Sequence, residues 1–387
     1  MDFEFPPDTL MLRDMLQRFV KKEAQPLEMK YFTAGSLSPE ERTRLRRSIE
    51  QMGLWGITVP EEYGGGGLDL VTSCMIEEEL GGTFIPIEIG DVPSILYACR
   101  DNQVGAYLEA AVEGSRRPIL AVREPGESLD RTAGGLKTQT TGIRPESWST
   151  TAVPDEDVYV LNGRKVLGIS PEPDDFYILI AKSGVESQAG ELTAFLLDAN
   201  CDGLSLTKNG EVCLSIKDCR AGPDSILGQA GGALAAGAEE APKLVIRTGA
   251  RYVGIVERLL DMAREHARDW VMFGAPLSAR PAVQRMLAEM RVDAESARWL
   301  VYHAAWLADE GKLDSARRSA AHVRLATGEM LQRAVDRVTM IYAGPGPSPQ
   351  IEPQRLVRSL VPPQALEIAL DFARSAIASE MIDVPDS

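Results

Sequence analysis

Cysteine is scarce and unpatterned in this chain. Its five copies (Cys74, Cys99, Cys201, Cys213 and Cys219) are odd in number and contain no Cys-x-x-Cys pair, so neither a disulfide framework nor structural zinc is indicated. Histidine is scarcer still. His266, His303 and His322 show no His-Glu-x-x-His spacing, which removes the usual basis for metal hydrolysis. A Gly-x-Ser-x-Gly nucleophile motif is also missing. No apolar run approaches the roughly 20 residues of a membrane span, and Met-Asp-Phe-Glu-Phe at the start is acidic where a secretory signal is basic. A cytoplasmic location is the expectation. Positive charge is in deficit too: 41 Lys plus Arg against 57 Asp plus Glu gives a net charge of -16, which repels nucleic acid phosphates and anionic lipid.

What is present is ordinary for a folded protein, with 44% hydrophobic and 25% charged residues. A length of 387 residues suits two or three packed units. Leu12, Met15, Phe19 and Val20 share one helical face between Thr9 and Glu23. Ser38-Pro39-Glu40-Glu41 supplies a cap residue, a first-turn proline and the acid three residues on, so a second helix is predicted from there toward Gly53. Gly64 to Gly67 must form a tight loop. Without a preceding strand or a trailing Lys-Ser/Thr, that loop is not a phosphate cradle. Helical character returns from Val71 to Leu80 and closes at Gly81-Gly82.

From about Pro118 the pattern changes to short β-prone runs, Ile119 to Val122, Val158 to Leu161, Phe176 to Ala181 and Leu192 to Leu197. From Gly231 to about Arg337 it is helical again. The order helices, strands, helices argues against a doubly wound sheet, which needs alternation. It predicts an α+β chain with a helical domain over 1–117, a β-domain over 118–228 and a second helical domain over 229–387.

The run Gly53-Leu54-Trp55-Gly56-Ile57-Thr58-Val59-Pro60-Glu61-Glu62-Tyr63-Gly64-Gly65 resembles the N-terminal signature of acyl-CoA dehydrogenases. Further matches follow in that family's order: Glu124-Pro125, Tyr159-Val160-Leu161-Asn162-Gly163-Arg164-Lys165, Arg247, then Phe273-Gly274 with Pro276-Leu277. The resemblance implies a three-domain fold ending in a four-helix bundle, and oligomers built through the C-terminal helices. It also implies FAD as cofactor, an acyl-CoA substrate and an electron-transfer acceptor. A glutamate removes the α-proton of the thioester while the flavin takes the β-hydride.

The chain departs from that pattern where the chemistry is done. Aligning Gln354-Arg355-Leu356-Val357-Arg358 with the family's Arg-Asp-Ala-Arg segment puts Glu367 at the base position, but the Gly-Thr that follows the family's base is replaced by Ile368-Ala369. An exposed helix glutamate is the competing reading of Glu367. Some relatives carry the base just before the arginine matched by Arg247; here that residue is Ile246. The arginine and glutamine that precede Phe-Gly and reach a neighbouring subunit's FAD are Trp270 and Met272, and a later glutamine aligns with Met340. Trp and Met suit packing rather than phosphates. Arg123 replaces a hydroxyl residue before Glu124, with a phosphate contact or a salt bridge as its two readings.

The resemblance therefore assigns Glu367 to catalysis, Arg247 to the substrate, and Arg123, Ser170, Phe273, Gly344 and Gly346 to the cofactor. The expected function is FAD-dependent oxidation of the α,β carbon-carbon bond of an acyl-CoA, in lipid metabolism. The rival expectation is a non-catalytic subunit that assembles with an active paralogue. A third is a binding scaffold that takes neither FAD nor CoA.

Overall fold

The computed structural model describes residues 4–90, 92–125, 149–167, 170–183, 192–209, 211–233, 240–342 and 363–382, with the backbone alone at 208, 209, 211, 240, 363–369 and 372. The chain forms two compact units, one of residues 1–51, 68–88 and 242–387 and one of residues 52–67 and 89–241. Along the sequence the order is helices, then strands, then helices. The N-terminal and C-terminal helices share the first unit.

That unit begins with α1 (Pro7–Phe19), which buries Leu16 and Phe19, and α2 (Glu28–Ala34). α3 (Pro39–Gln51) opens with the expected reciprocal cap: the Glu41 amide donates to Ser38 Oγ at 3.3 Å and the Ser38 amide to Glu41 Oε2 at 3.0 Å. α4 (Leu70–Leu80) is buried almost all round. Its first amides are satisfied by two carboxylates, Thr72 N–H on Asp69 and Leu70 N–H on Asp309 at 2.8 Å. Three long helices follow, α5 (Glu240–Asp269), α6 (Pro281–Asp309) and α7 (Leu313–Tyr342), and then α8 (Pro363–Met381). Phe84, Val253, Leu259, Met290, Val323 and Leu331 lie in their common core. α4 reaches α5 backbone to backbone: a Cβ on Gly254 would sit 1.9 Å from the Glu78 carbonyl oxygen, so no larger residue fits.

The second unit is built on one sheet, which among the described residues has eight strands. These are β1 (Pro118–Ala121), β2 (Thr151–Asp155), β3 (Val158–Leu167), β4 (Phe176–Ser183), β5 (Leu192–Asp198), β6 (Leu204–Asn209), β7 (Glu211–Ala221) and β8 (Ile226–Leu227). Their order is β6-β7-β3-β2-β4-β5-β8, with β1 parallel to β4. β4 alternates Phe176, Ile178 and Ile180 into one core with Tyr177, Leu179 and Ala181 into the other, so both faces are covered. Residues 53–67 and 92–116 fold with this sheet. There the glycine loop closes so tightly that a Cβ on Gly65 would meet the Val59 carbonyl oxygen at 2.1 Å.

Candidate functional site

The central feature of the helical unit is a row of three consecutive glutamates on α4. Successive helix positions turn by about 100°, so each faces a different neighbour. Glu77 accepts from Arg247 Nη2 at 2.8 Å and from Arg251 Nε at 2.6 Å, both on α5. Glu78 accepts from Arg298 Nε at 2.7 Å and Tyr302 Oη at 2.9 Å, both on α6. Glu79 accepts from Gln17 Nε2 on α1 at 3.0 Å. Burial pushes the Glu77 carboxyl up, but the guanidinium groups of Arg251 and Arg247 outweigh it and hold it below the ordinary carboxylate range. For Glu78 burial wins and raises the carboxyl despite Arg298. Glu79 meets a neutral carboxamide, and burial lifts it to about 7.

Arg247, the candidate substrate contact, thus belongs to a buried ion-pair cluster with a side chain 14% exposed. No motif in the sequence singles out Glu77. Its signal was there, in three acids closing an otherwise apolar helix, Leu70-Val71-Thr72-Ser73-Cys74-Met75-Ile76, because charges on a buried helix must find partners.

Trp270 lies at the end of α5, before a hairpin of β9 (Val271–Met272) and β10 (Ala275–Pro276). Phe273 and Gly274 form its turn with φ of 52° and 76°, the left-handed pair that a two-residue type I′ connection requires. Arg280 Nη2 donates to the Met272 carbonyl at 2.7 Å and fixes the hairpin base. Phe273 projects from it, 90% exposed. Trp270 packs back on its own chain. Its ring is stacked on His266 at 5.7 Å and 15°, and His266 on Tyr342 at 4.1 Å and 18°. Tyr342 Oη donates to the Met262 carbonyl at 3.0 Å, and burial lowers the pKa of His266. Met340 is exposed near the end of α7.

In the sheet unit Arg123 is exposed, and its carbonyl accepts from Val166 N–H at 2.7 Å. Ser170 is exposed as well, and its carbonyl accepts from Arg117. Between those two positions in sequence lies a buried pair. Lys165 Nζ reaches Glu124 Oε1 at 3.2 Å and the Val122 carbonyl at 2.8 Å, and Glu124 also accepts from the Ser149 and Thr150 amides at 2.7 and 2.8 Å. Burial raises the Glu124 carboxyl, but the bonds from Thr150 and Ser149 and the Lys165 ammonium hold it at about 2. Glu124 and Lys165 are therefore structural anchors of the strands beside Arg123.

Glu367 lies on α8, where the backbone alone is described; Gly344 and Gly346 lie outside the described residues. Trp270, Met272 and Met340 are the residues that the sequence resemblance sets where the family contacts the cofactor. Trp270 offers one indole N–H, and Met272 and Met340 offer thioethers, so none supplies the charged or amide donors that phosphates and ribose take. These residues do not fit FAD.

Residues 6–115 match the N-terminal domain family of acyl-CoA dehydrogenases, and residues 246–378 the C-terminal domain family. The chain belongs to the acyl-CoA dehydrogenase family. It is 28% identical over 413 residues to (R)-benzylsuccinyl-CoA dehydrogenase of Thauera aromatica, covering 99% of this chain and 97% of that protein. It is 24% identical over 372 residues to the caffeyl-CoA reductase-Etf complex subunit CarC of Acetobacterium woodii, covering 92% and 93%. Among solved structures, glutaryl-coenzyme A dehydrogenase in complex with glutaryl-CoA superposes with a TM-score of 0.82 at 22% identity, covering 100% of this chain and 98% of that one. The acyl-CoA dehydrogenase fold, with an N-terminal helical domain, a central β-domain and a C-terminal helical domain, is therefore this chain's fold. The family is one of flavoprotein oxidoreductases.

Proposed function

We propose that this chain is one subunit of an acyl-CoA dehydrogenase assembly, in which a paralogous chain supplies the flavin contacts that its own residues do not reproduce. The reaction served is oxidation of the α,β carbon-carbon bond of a CoA thioester. The observation that carries this reading is the stack of Trp270 on His266, which is itself stacked on Tyr342; it commits to intramolecular packing the position where the family has a flavin-binding arginine. The names of its relatives, a CoA-ester dehydrogenase and a subunit of a CoA-ester reductase complex with Etf, agree with a CoA-ester substrate and an electron-transfer flavoprotein as acceptor. The visible spectrum tests the proposal. The protein purified alone is expected to be colourless, and the complex with a paralogous chain yellow with fewer flavins than chains. One flavin per chain in the protein alone would overturn it.

A second reading keeps catalysis in this chain, with Glu367 as the base. It is favoured by the place of Glu367 within the segment that matches the C-terminal family domain.

A further inference from the structure

The chain carries a net charge of -16, but residues 18–51 hold eight Lys and Arg against five Asp and Glu. Three of those acids, Glu28, Glu41 and Glu50, are committed to Arg258, Lys30 and Arg46 at 2.8, 2.6 and 2.8 Å. Arg18, Lys21, Lys22, Arg42, Arg44 and Arg47 are all exposed and, among the described residues, enter no ion pair. Exposed arginines of the long helices behave otherwise: Arg264, Arg317 and Arg374 pair with Asp261, Asp314 and Glu329. Packing gathers most of the unpaired cations on one face. Leu45 and Ile49 of α3 are 4% and 0% exposed, and at about 100° per residue Arg47 lies opposite both, with Arg44 nearly a turn before it. Phe19 and Val20 are buried in the same way, which turns Arg18, Lys21 and Lys22, at spacings of three and four, outward together. Ser48 Oγ donates to Glu23 Oε2 at 2.7 Å, and Lys30 Nζ to Glu41 Oε1. α3 therefore runs antiparallel to residues 23–30, and its last turns, with Arg47, lie beside Lys21 and Lys22.

We infer that this face, made by Arg18, Lys21, Lys22, Arg44 and Arg47, is a docking surface for a partner protein that presents a carboxylate-rich segment. Charge complementarity selects the partner. A guanidinium with no internal partner keeps its fork of donors for an incoming carboxylate, which it takes with two parallel bonds. The acidic remainder of the chain repels the same partner, so approach is steered to the one face where cations stand unneutralised. An anionic membrane fits less well. The large apolar side chains of α3, Leu45 and Ile49, are buried, so the helix has nothing to insert among acyl chains. Glu40, exposed one turn before Arg44, would be driven against a uniformly negative plane, whereas a protein surface can leave that point uncharged. None of these cations is a candidate site residue, so the surface stands apart from the flavin question.

Fluorescence anisotropy of labelled poly-L-glutamate titrated with the full chain tests the inference. The wild type is expected to bind the peptide at about 50 mM salt and to release it progressively toward about 300 mM. Arg44→Glu with Arg47→Glu should weaken binding at least about tenfold. The same change of charge at two exposed arginines of α7, Arg317→Glu with Arg318→Glu, should weaken it far less. Absence of binding at low salt, equal binding by the α3 variant, or an equal loss in the α7 variant would overturn the proposal. Capture of the protein by phosphatidylserine vesicles, abolished by the α3 substitutions, would assign the face to a membrane and overturn it as well. Should the α3 variant misfold, Lys21→Gln with Lys22→Gln decides, because it leaves α3 untouched and is expected to weaken peptide binding with thermal unfolding unchanged.

Discussion

Glu79 takes a hydrogen bond from the carboxamide of Gln17 at 3.0 Å, while its neighbour Glu77 on the same helix is held by two guanidinium groups. The two carboxyls are shifted in opposite directions, and this makes them separable by pH. Glu79 is raised to about 7 from 4.5. A raised folded pKa means that the associated stability is fully present below the unfolded value and is lost as pH climbs through the folded one. Glu79→Gln keeps an acceptor for Gln17 and removes the titration. It should stabilise the protein by on the order of 3 kcal/mol above pH 8, and by clearly less at pH 6. Urea unfolding of both proteins at the two pH values measures the difference. A gain that does not change with pH would show that Glu79 is an ordinary carboxylate.

Glu77 is expected to behave in the opposite sense. Its lowered pKa contributes stability that is present above the unfolded value and lost as pH falls through the folded one. Glu77→Ala leaves Arg247 and Arg251, 14% and 24% exposed, beside an empty site, and should cost roughly 3–5 kcal/mol in urea unfolding. Arg247→Ala separates the two roles open to that residue. A structural role predicts a fall in stability of similar order, whereas a substrate contact predicts weaker CoA-ester binding with unfolding unchanged.

The fold was legible where local signals act alone. The cap at Ser38, the glycine turn and the alternation of Phe176 to Ala181 each declare themselves within a few residues, because each answers a local steric or hydrogen-bonding demand. The assembly of the units was not. Residues 92–116 fold with the sheet although nothing local separates them from the preceding helices, and α4 is buried nearly all round, so it shows no polar face to orient it. At the site, the substitutions at Trp270, Met272 and Met340 were visible as departures from a family pattern. Where their side chains go was not. Trp270 stacks on His266, four residues before it, but the stack of His266 on Tyr342 depends on α5 and α7 lying side by side, a contact between residues 76 positions apart.

Restoring the polar contacts is expected to restore cofactor affinity. Trp270→Arg, Met272→Gln and Met340→Gln together return charged and amide donors to the three positions, at the loss of a ring stack worth about 0.5–1.5 kcal/mol. Flavin occupancy, read from blue absorbance after dialysis against FAD, should rise above that of the unmodified protein. If occupancy stays at the starting level in a folded triple variant, those three positions are not what excludes the flavin.

Glu367 separates the two functional readings. It falls on α8, whereas the alternative base position is Ile246 on α5, a fully buried apolar residue, so this chain has no second candidate at the family's known places. A base must sit within hydrogen-bond reach of the α-proton, with a pKa near the working pH. Glu367→Gln preserves size and removes proton acceptance. If this chain carries the chemistry, turnover of an acyl-CoA with an artificial electron acceptor should fall by about a hundredfold or more, with thermal unfolding unchanged. If the chain serves an active partner, the co-purified complex should turn over equally fast with either residue. The loss of activity would then follow substitution of the partner's glutamate instead. The partner-subunit reading predicts that second outcome, and a large fall caused by Glu367→Gln in the complex would refute it.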